Sequence, residues 1–127
     1  MTGRCLVLAV AMFACQSNPL PPIEARKQVG KEITVEMEVQ SAKDRLEKRG
    51  EIYLDAEQDF KHEKTFAVVI TKAGVESLKK SGIDDPVAHF KMELIRAKGV
   101  VKLVQDVPRI EIDDAQQIRR VTKEERP

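Results

Sequence analysis

Apolar and polar residues alternate strictly along residues 31–40 of this chain. Every second position is apolar: Ile33, Val35, Met37 and Val39. The positions between them carry mostly acidic or polar side chains. Because successive side chains of a strand point to opposite faces, this pattern predicts a strand with one buried face and one acidic face.

Two shorter apolar segments follow in the first half of the chain. Residues 51–55 (EIYLD) predict a strand with Ile52 and Leu54 inward and Tyr53 outward. Residues 65–71 (TFAVVIT) are almost all apolar, which is typical of a strand that is buried on both faces.

The second half of the chain predicts two more strands. Residues 87–104 form one long β pattern whose alternation slips at Leu94 and Ile95 and is interrupted by Gly99, so we expect a bulge or a bend there. Residues 109–113 (RIEID) predict the last strand.

The remaining segments read as connections. Residues 41–50 (SAKDRLEKRG) are predicted to form a charged loop, and residues 74–81 (GVESLKKS) one to two helical turns with Val75 and Leu78 inward. The predicted order is therefore β–β–β–α–β–β, an all-β domain with one short helix.

Local motifs resemble those of bacterial OB-fold domains of the nucleic-acid-binding type. Residues 29–31 (VGK) before the alternating strand look like the opening of these domains, and residues 99–118, with Pro108 and the final Ala-Gln-Gln-Ile, look like their ending. The resemblance covers residues 28–120 and implies a five-stranded Greek-key barrel. The family includes exported domains of unassigned function.

The resemblance also implies where a ligand lies. OB folds bind ligands across the second and third strands, between the first–second and fourth–fifth loops. On this chain that face would offer Tyr53, Ala67 and Val69, with Asp106 at the far side. The candidate ligand-binding residues are Lys43, Arg45, Lys48, Arg49, Tyr53 and Gln105.

The N-terminus predicts export from the cytoplasm. Arg4 is followed by an apolar run that ends at Ala14, and this run of about ten residues is too short for a membrane-spanning helix, which needs about twenty. Residues 1–14 are therefore interpreted as a lipoprotein-like signal peptide and residues 15–27 as a spacer. Cys15 is the candidate lipidation site, with an ordinary secretory cut as the alternative. Residues 121–127 are expected to be a charged tail.

Charge weighs against a purely electrostatic nucleic-acid binder. The chain has 22 Lys+Arg and 21 Asp+Glu. Removal of residues 1–14 would remove only Arg4 and leave 21 of each, a net charge of zero. Nucleic-acid binders usually carry a basic excess, although a local basic patch would serve.

The sequence offers no pattern for catalysis or metal binding. It has no G-x-S-x-G and no glycine-rich phosphate loop. The two histidines, His62 and His89, lie far apart, and the acidic run from Asp55 to Asp59 lacks the glycine and glutamate of a calcium loop. We expect no catalytic residue, no metal site and no cofactor.

These patterns leave three interpretations. The first is a non-catalytic, extracytoplasmic OB-fold module that binds a protein or an extended ligand across strands two and three. We expect such a module to be monomeric and to touch the membrane only through a lipid at Cys15. The second is a single-stranded nucleic-acid binder. The third is a structural envelope lipoprotein that contacts its neighbours through the acidic face of Glu32, Glu36 and Glu38.

Overall fold

A computed structural model describes residues 18–57, 65–122 and Glu124. Within these ranges the chain is mostly β, with two sheets and a few short helices. The strands are β1 Glu32–Glu38, β2 Ser41–Arg45, β3 Glu51–Asp55, β4 Ala67–Thr71, β5 Leu94–Val100, β6 Lys102–Val104, β7 Val107–Ile112 and β8 Ile118–Arg120. The helices are α1 Pro22–Ala25, α2 Leu46–Arg49, α3 Lys72–Lys80 and α4 Pro86–Phe90, with a 3-10 helix over Ala115–Gln117.

The smaller sheet is built around the alternating strand. Its order is β1-β5-β8, and both pairs are antiparallel. The apolar residues of β1 are buried, as the pattern predicts, and the acidic residues between them lie on the opposite face. Apolar alternation therefore located this strand and its buried face correctly.

The larger sheet has the order β2-β3-β4-β7-β6. All its pairs are antiparallel except β4 with β7, which are parallel. Ile52 and Leu54 of β3 are buried as predicted, and they face the same core as Ile110 and Ile112 of β7. The other face of this sheet is free to carry a site.

Two stretches of chain run from one sheet into the other. Between β1 and β2, Val39 N donates to Glu93 O at 2.9 Å, and the next amide, of Gln40, donates to Asp55 O at 2.9 Å. Between β5 and β6, Val101 N donates to Lys31 O at 3.0 Å. The core lies between the two sheets.

Residues 41–50 are not the predicted loop. They form β2, which pairs with β3 along its whole length, and the single-turn helix α2. Backbone pairing holds β2 at the sheet edge, so its charged side chains can stay in solvent and no apolar alternation marks the strand.

Residues 87–104 are not one long strand. Pro86–Phe90 is helix α4, and Asp85 caps it, because the Asp85 carboxylate accepts from Ala88 N at 3.2 Å. The apparent slip in phase at Leu94 is simply the start of β5. Gly99 lies within β5, close against Ile110, and the chain breaks between sheets at Val101 instead.

The predicted five-stranded Greek-key barrel is confirmed only in part, because the described residues form eight strands in two sheets. Within the described ranges, no strand pairing joins the two sheets into a closed barrel. The described residues form four α-helices where one was predicted, and α3 begins two residues earlier than predicted. Its Leu78 is buried and its Val75 half-buried.

Part of the predicted spacer packs on the domain. Leu20 forms a parallel bridge to Val35, and Ala25 is fully buried in the core. The predicted signal peptide and Cys15 lie outside the described residues, so the export prediction stays a prediction. Among the described residues, no helix is long and apolar enough to cross a membrane.

Candidate functional site

The outer face of the five-stranded sheet carries polar side chains in two rows. Register places Lys43, Tyr53 and Val69 side by side on β2, β3 and β4. The next row places Asp55 on β3, Ala67 on β4 and Arg109 on β7 side by side. Residues in register share one face, so both rows point away from the core.

A groove of about 590 Å³ runs over this face. All six residues predicted to bind a ligand line it: Lys43, Arg45, Lys48, Arg49, Tyr53 and Gln105. Val69, which we expected on this face, is covered completely by its neighbours, and Asp106 does not line the groove. The structure thus gathers the candidate residues in one place, and their binding role remains a proposal.

One wall of the groove is basic. Lys43 and Arg45 alternate along β2, and Lys48 and Arg49 follow on α2. The chain can turn there because Asp44 accepts from Leu46 N at 2.9 Å and Gly50 ends the helix with φ +71°, a conformation that favours glycine. A single turn of helix therefore brings four positive side chains to one edge.

The opposite wall is formed by the β6–β7 hairpin. Val104 pairs with Val107, and the two-residue turn between them is Gln105 and Asp106, both at positive φ. Val104, Gln105 and Val107 line the groove. The exposed cations of the groove therefore lie along β2 and α2, and the hairpin turn beside them contributes uncharged side chains to the lining.

A network of hydrogen bonds and ion pairs covers the sheet beside the groove. Tyr53 Oη donates to Glu51 Oε1 at 2.7 Å, and Arg109 Nη1 lies 3.4 Å from Glu51 Oε2 and 3.4 Å from Glu111 Oε2. The Arg109 guanidinium lies 5.9 Å from the centroid of the Tyr53 ring. The carboxylates of Glu51 and Glu111 thus offset the charge of Arg109 and fix its orientation, and Glu51 also fixes the Tyr53 hydroxyl.

Asp55 is the unusual group in the groove. Only 5% of it is exposed, yet it lines the groove. Burial raises the pKa of the Asp55 carboxyl to about 6, and the nearby Lys43 ammonium lowers that pKa by a smaller amount. None of the described residues donates a hydrogen bond to this carboxylate.

Sequence reasoning missed Asp55 and Arg109 as groove residues. Asp55 was interpreted as part of a solvated acidic loop, and Arg109 as an ordinary residue of the last strand. They are 54 positions apart in the sequence, and only the pairing of β3, β4 and β7 brings them to one row. Alternation with Tyr53 could have indicated Asp55, but no local signal joins it to Arg109.

Metal binding finds no support in the described part of the chain. No group of three or more His, Cys, Asp or Glu side chains lies there with the geometry to hold an ion. Of the residues considered for metal binding, Asp59 and His62 fall outside the described ranges. His89 lies on α4 against the ring of Phe90, with 4.7 Å between the ring centroids.

Comparison with known proteins gives likeness of structure only. No protein-family model matches this chain, and no curated protein sequence matches it. Its fold is similar to that of aspartyl-tRNA synthetase from Entamoeba histolytica, with 16% identity and a TM-score of 0.56 over 96% of this chain and 25% of that one. It is also similar to asparaginyl-tRNA synthetase from Pyrococcus horikoshii, with 14% identity and a TM-score of 0.55 over 83% of this chain and 23% of that one.

The chain therefore spans about a quarter of the length of these enzymes. At this level of identity the likeness concerns the fold and does not extend to their activity. The fold that this likeness supports is an OB fold.

Proposed function

We propose that the groove on the five-stranded sheet binds single-stranded nucleic acid. The observation that carries the proposal is the convergence of four basic side chains and Tyr53 in one groove of an OB-type sheet. Binders of single strands combine a positive groove that follows the backbone with aromatic side chains that stack on bases. Both parts are present, although Tyr53 is the only aromatic residue lining the groove in the described part of the chain.

The position of the exposed cations suggests how a strand would lie. Arg45, Lys48 and Arg49 are exposed, and within the described ranges their side chains form no ion pair. Phosphates would follow this wall, because charge-assisted contacts to phosphate are strong and need no particular base. The bases would then turn toward Tyr53, Asp55 and the hairpin.

The neutral overall charge is compatible with this arrangement. Three acidic side chains lie on β1 of the other sheet, where Glu36 pairs with Arg96 at 2.7 Å and Glu38 accepts from Gln40 at 2.7 Å. On the larger sheet, Glu51 and Glu111 are paired with Arg109. Salt screens exposed charges beyond about 10 Å, so a strand in the groove would respond mainly to the charges that line it.

The comparisons add support at the level of fold. The similar structures are synthetases whose names specify a tRNA, so a nucleic-acid ligand fits this fold. We further infer that seven of the eight described strands correspond to the five of an OB fold, with β1 and β2 as one bent strand and β5 and β6 as another, and that β8, which pairs with β5, is an addition to it. The parallel pairing of β4 with β7 agrees with that grouping.

Binding should depend strongly on salt and on the basic wall. The full chain is expected to bind a labelled oligouridylate of about 12 nucleotides, within the site size of one OB fold, more tightly at about 50 mM than at about 200 mM salt. Changing Arg45, Lys48 and Arg49 to alanine should reduce the slope of log K against log salt by about 2, since each single-strand phosphate contact contributes about 0.7. Fluorescence anisotropy measures both quantities.

The matched control is a variant with Lys79, Lys80 and Lys91 changed to alanine. These exposed lysines lie outside the groove, and their loss changes the net charge by the same amount. An equal effect of both variants would mean that binding follows net charge and not this groove. If the unaltered chain fails to bind at the lower salt, the proposed function is wrong.

Tyr53 should contribute through its ring. Tyr53→Leu is expected to weaken binding about tenfold, because the stacking of one base on an aromatic side chain contributes about 1 to 3 kcal/mol. Tyr53→Phe keeps the ring and loses only the hydrogen bond to Glu51, so it should bind almost as well as the original chain. Equal losses in the two variants would assign the effect to the hydroxyl and contradict a stacking role.

The other two interpretations predict different outcomes of the same experiment. A module for a protein or an extended ligand, exported or lipid-anchored at Cys15, would leave the oligonucleotide unbound. A structural envelope protein would do the same, and it would respond to changes in Glu32, Glu36 and Glu38 and not to changes in the groove. Extracytoplasmic location remains a prediction from residues 1–15.

A further inference from the structure

The row of Asp55, Ala67 and Arg109 forms a notch in the groove. Ala67 lies between the other two on the central strand β4, and its methyl group leaves space above the sheet. Adjacent strands are about 4.8 Å apart, so the backbones that carry Asp55 and Arg109 are about 10 Å apart. A flat group can therefore enter between them with one edge toward the sheet.

The two sides of the notch have opposite hydrogen-bonding character. The ionised Asp55 carboxylate only accepts, and Arg109 only donates. Both ion pairs of Arg109, to Glu51 and to Glu111, use Nη1, so the remaining N–H groups of the guanidinium are not engaged by them. The guanidinium itself lies beside the Tyr53 ring, Glu51 and Glu111, so the groove presents acceptor oxygens at Asp55 and donor groups at Arg109.

Guanine is the base whose exposed edge matches this arrangement of a donor at Arg109 and acceptors at Asp55. Its Watson–Crick edge carries the acceptor O6 followed by the two adjacent donors N1–H and N2–H₂. In a single strand this edge is free to be read. Adenine and cytosine have one exocyclic donor beside a ring acceptor, and uracil has one donor between two acceptors, so each would set an acceptor against the Asp55 carboxylate.

We propose that this notch selects guanine, with Asp55 accepting from N1–H and N2–H₂ and Arg109 donating to O6. This proposal rests on the proposed function. The carboxylate is a positive determinant for guanine and a repulsive one for the other three bases. The basic wall supplies affinity for any strand, and the notch supplies preference among strands.

The burial of Asp55 supports a role of this kind. A carboxyl group that is 5% exposed and whose pKa is raised by burial destabilises the folded state when it ionises. Groups of this kind concentrate at functional sites. Lys43 on β2 and Arg109 beyond Ala67 are the charged groups beside Asp55 in the groove.

The test compares guanine with hypoxanthine in otherwise identical strands. Three oligoribonucleotides of about 12 nucleotides are titrated into the full chain: all uridine, guanosine at every third position, and inosine at those same positions. Inosine retains O6 and N1–H and lacks the N2 amino group. We expect the guanosine strand to bind about tenfold more tightly than the uridine strand, with the inosine strand between them.

Asp55→Asn should remove the preference without removing binding. The asparagine side chain has nearly the same size and carries no charge, so affinity for the uridine strand should rise because the repulsive carboxylate is lost, while the guanosine and inosine strands become equal. Asp106→Asn is the matched control, because Asp106 lies on the adjacent turn without lining the groove. That variant should keep the guanosine preference.

Each outcome decides between the two proposals. Equal binding of all three strands by the original chain would overturn the guanine inference and leave the proposed function in place. No binding of any strand would overturn the proposed function itself. The comparison of guanosine with inosine uses the unaltered protein, so it holds even if a variant folds poorly.

Discussion

Asp55→Asn is expected to stabilise the protein at neutral pH by about 2 to 3 kcal/mol. Burial raises the pKa of the Asp55 carboxyl from 3.8 to about 6, against a smaller opposing effect of Lys43. A difference of this size between folded and unfolded chains corresponds to about 3 kcal/mol. Asparagine fills the same space without a charge, so it removes the penalty of ionising a group that is almost fully buried.

The stabilisation by Asp55→Asn should depend on pH, because it arises from ionisation of the Asp55 carboxyl. Below about pH 3.8 the carboxyl is protonated in both states and imposes no penalty. As the pH rises toward 6, the group ionises first in the unfolded chain, so the folded state loses stability across this interval and reaches its full loss above about 6. The advantage of the Asp55→Asn variant should therefore grow from near zero at low pH to its maximum at neutral pH.

Urea unfolding of both chains across this pH range measures the effect. Asp106→Asn, on the exposed hairpin turn, should change the free energy of unfolding by no more than about 0.5 kcal/mol at any pH. A stabilising effect of Asp55→Asn that is equal at low and neutral pH would show that ionisation is not its cause.

Gly74→Ala is expected to destabilise the protein by about 3 kcal/mol. Gly74 lies in the first turn of α3, and a Cβ there would overlap the carbonyl oxygen of Ile112 and lie 2.9 Å from Ile70 Cγ2. The backbone of β7 cannot yield as a flexible side chain could, so the helix would have to move. Leu78, which α3 buries in the core, would move with it. Overpacking of this kind costs about 1 to 3 kcal/mol and occasionally more.

Helix propensity alone predicts the opposite sign for this substitution. Alanine is more favourable than glycine in a helix by about 0.5 to 1 kcal/mol. Ala73→Gly, at the exposed position just before Gly74, isolates that contribution and should destabilise by about 1 kcal/mol. If thermal or urea unfolding finds the Gly74→Ala chain more stable than the original, the close contact between α3 and β7 is not present in solution.

Sequence reasoning predicted the structure correctly where burial of one strand face produces alternating apolar and polar residues. In β1 every second residue is buried, so the alternation from Ile33 to Val39 identifies both the strand and its inner face. The same holds for Ile52 and Leu54 of β3. These elements are predictable because one face of each strand packs on the core.

It failed where the backbone and not burial decides the structure. β2 is held by hydrogen bonds to β3, and its side chains are half-buried or exposed, so its sequence resembles a charged loop. Residues 87–104 were predicted as one β segment, but aspartate before proline, as in Asp85-Pro86, is a favourable start of a helix. Phe90 therefore belongs to the end of a short helix and not to a strand.

The candidate site shows the same division. The four basic residues and Tyr53 could be proposed from the sequence, because they lie within eleven positions of one another and the family resemblance indicates that face. The contribution of Arg109 could not, since it depends on β7 pairing with β4 in parallel across a helical connection. The proposed preference among bases rests on this long-range juxtaposition.

The bridge between Leu20 and β1 bears on how the domain can be handled. Leu20 N donates to Thr34 O and Glu36 N donates to Leu20 O, both at 2.8 Å, so this short segment occupies the outer edge of the smaller sheet. A chain shortened to begin after Leu20 would leave the backbone groups of Thr34 and Glu36 open to pairing with another molecule. Open strand edges promote aggregation, so truncation at this point would expose the edge strand β1 and favour self-association of the domain.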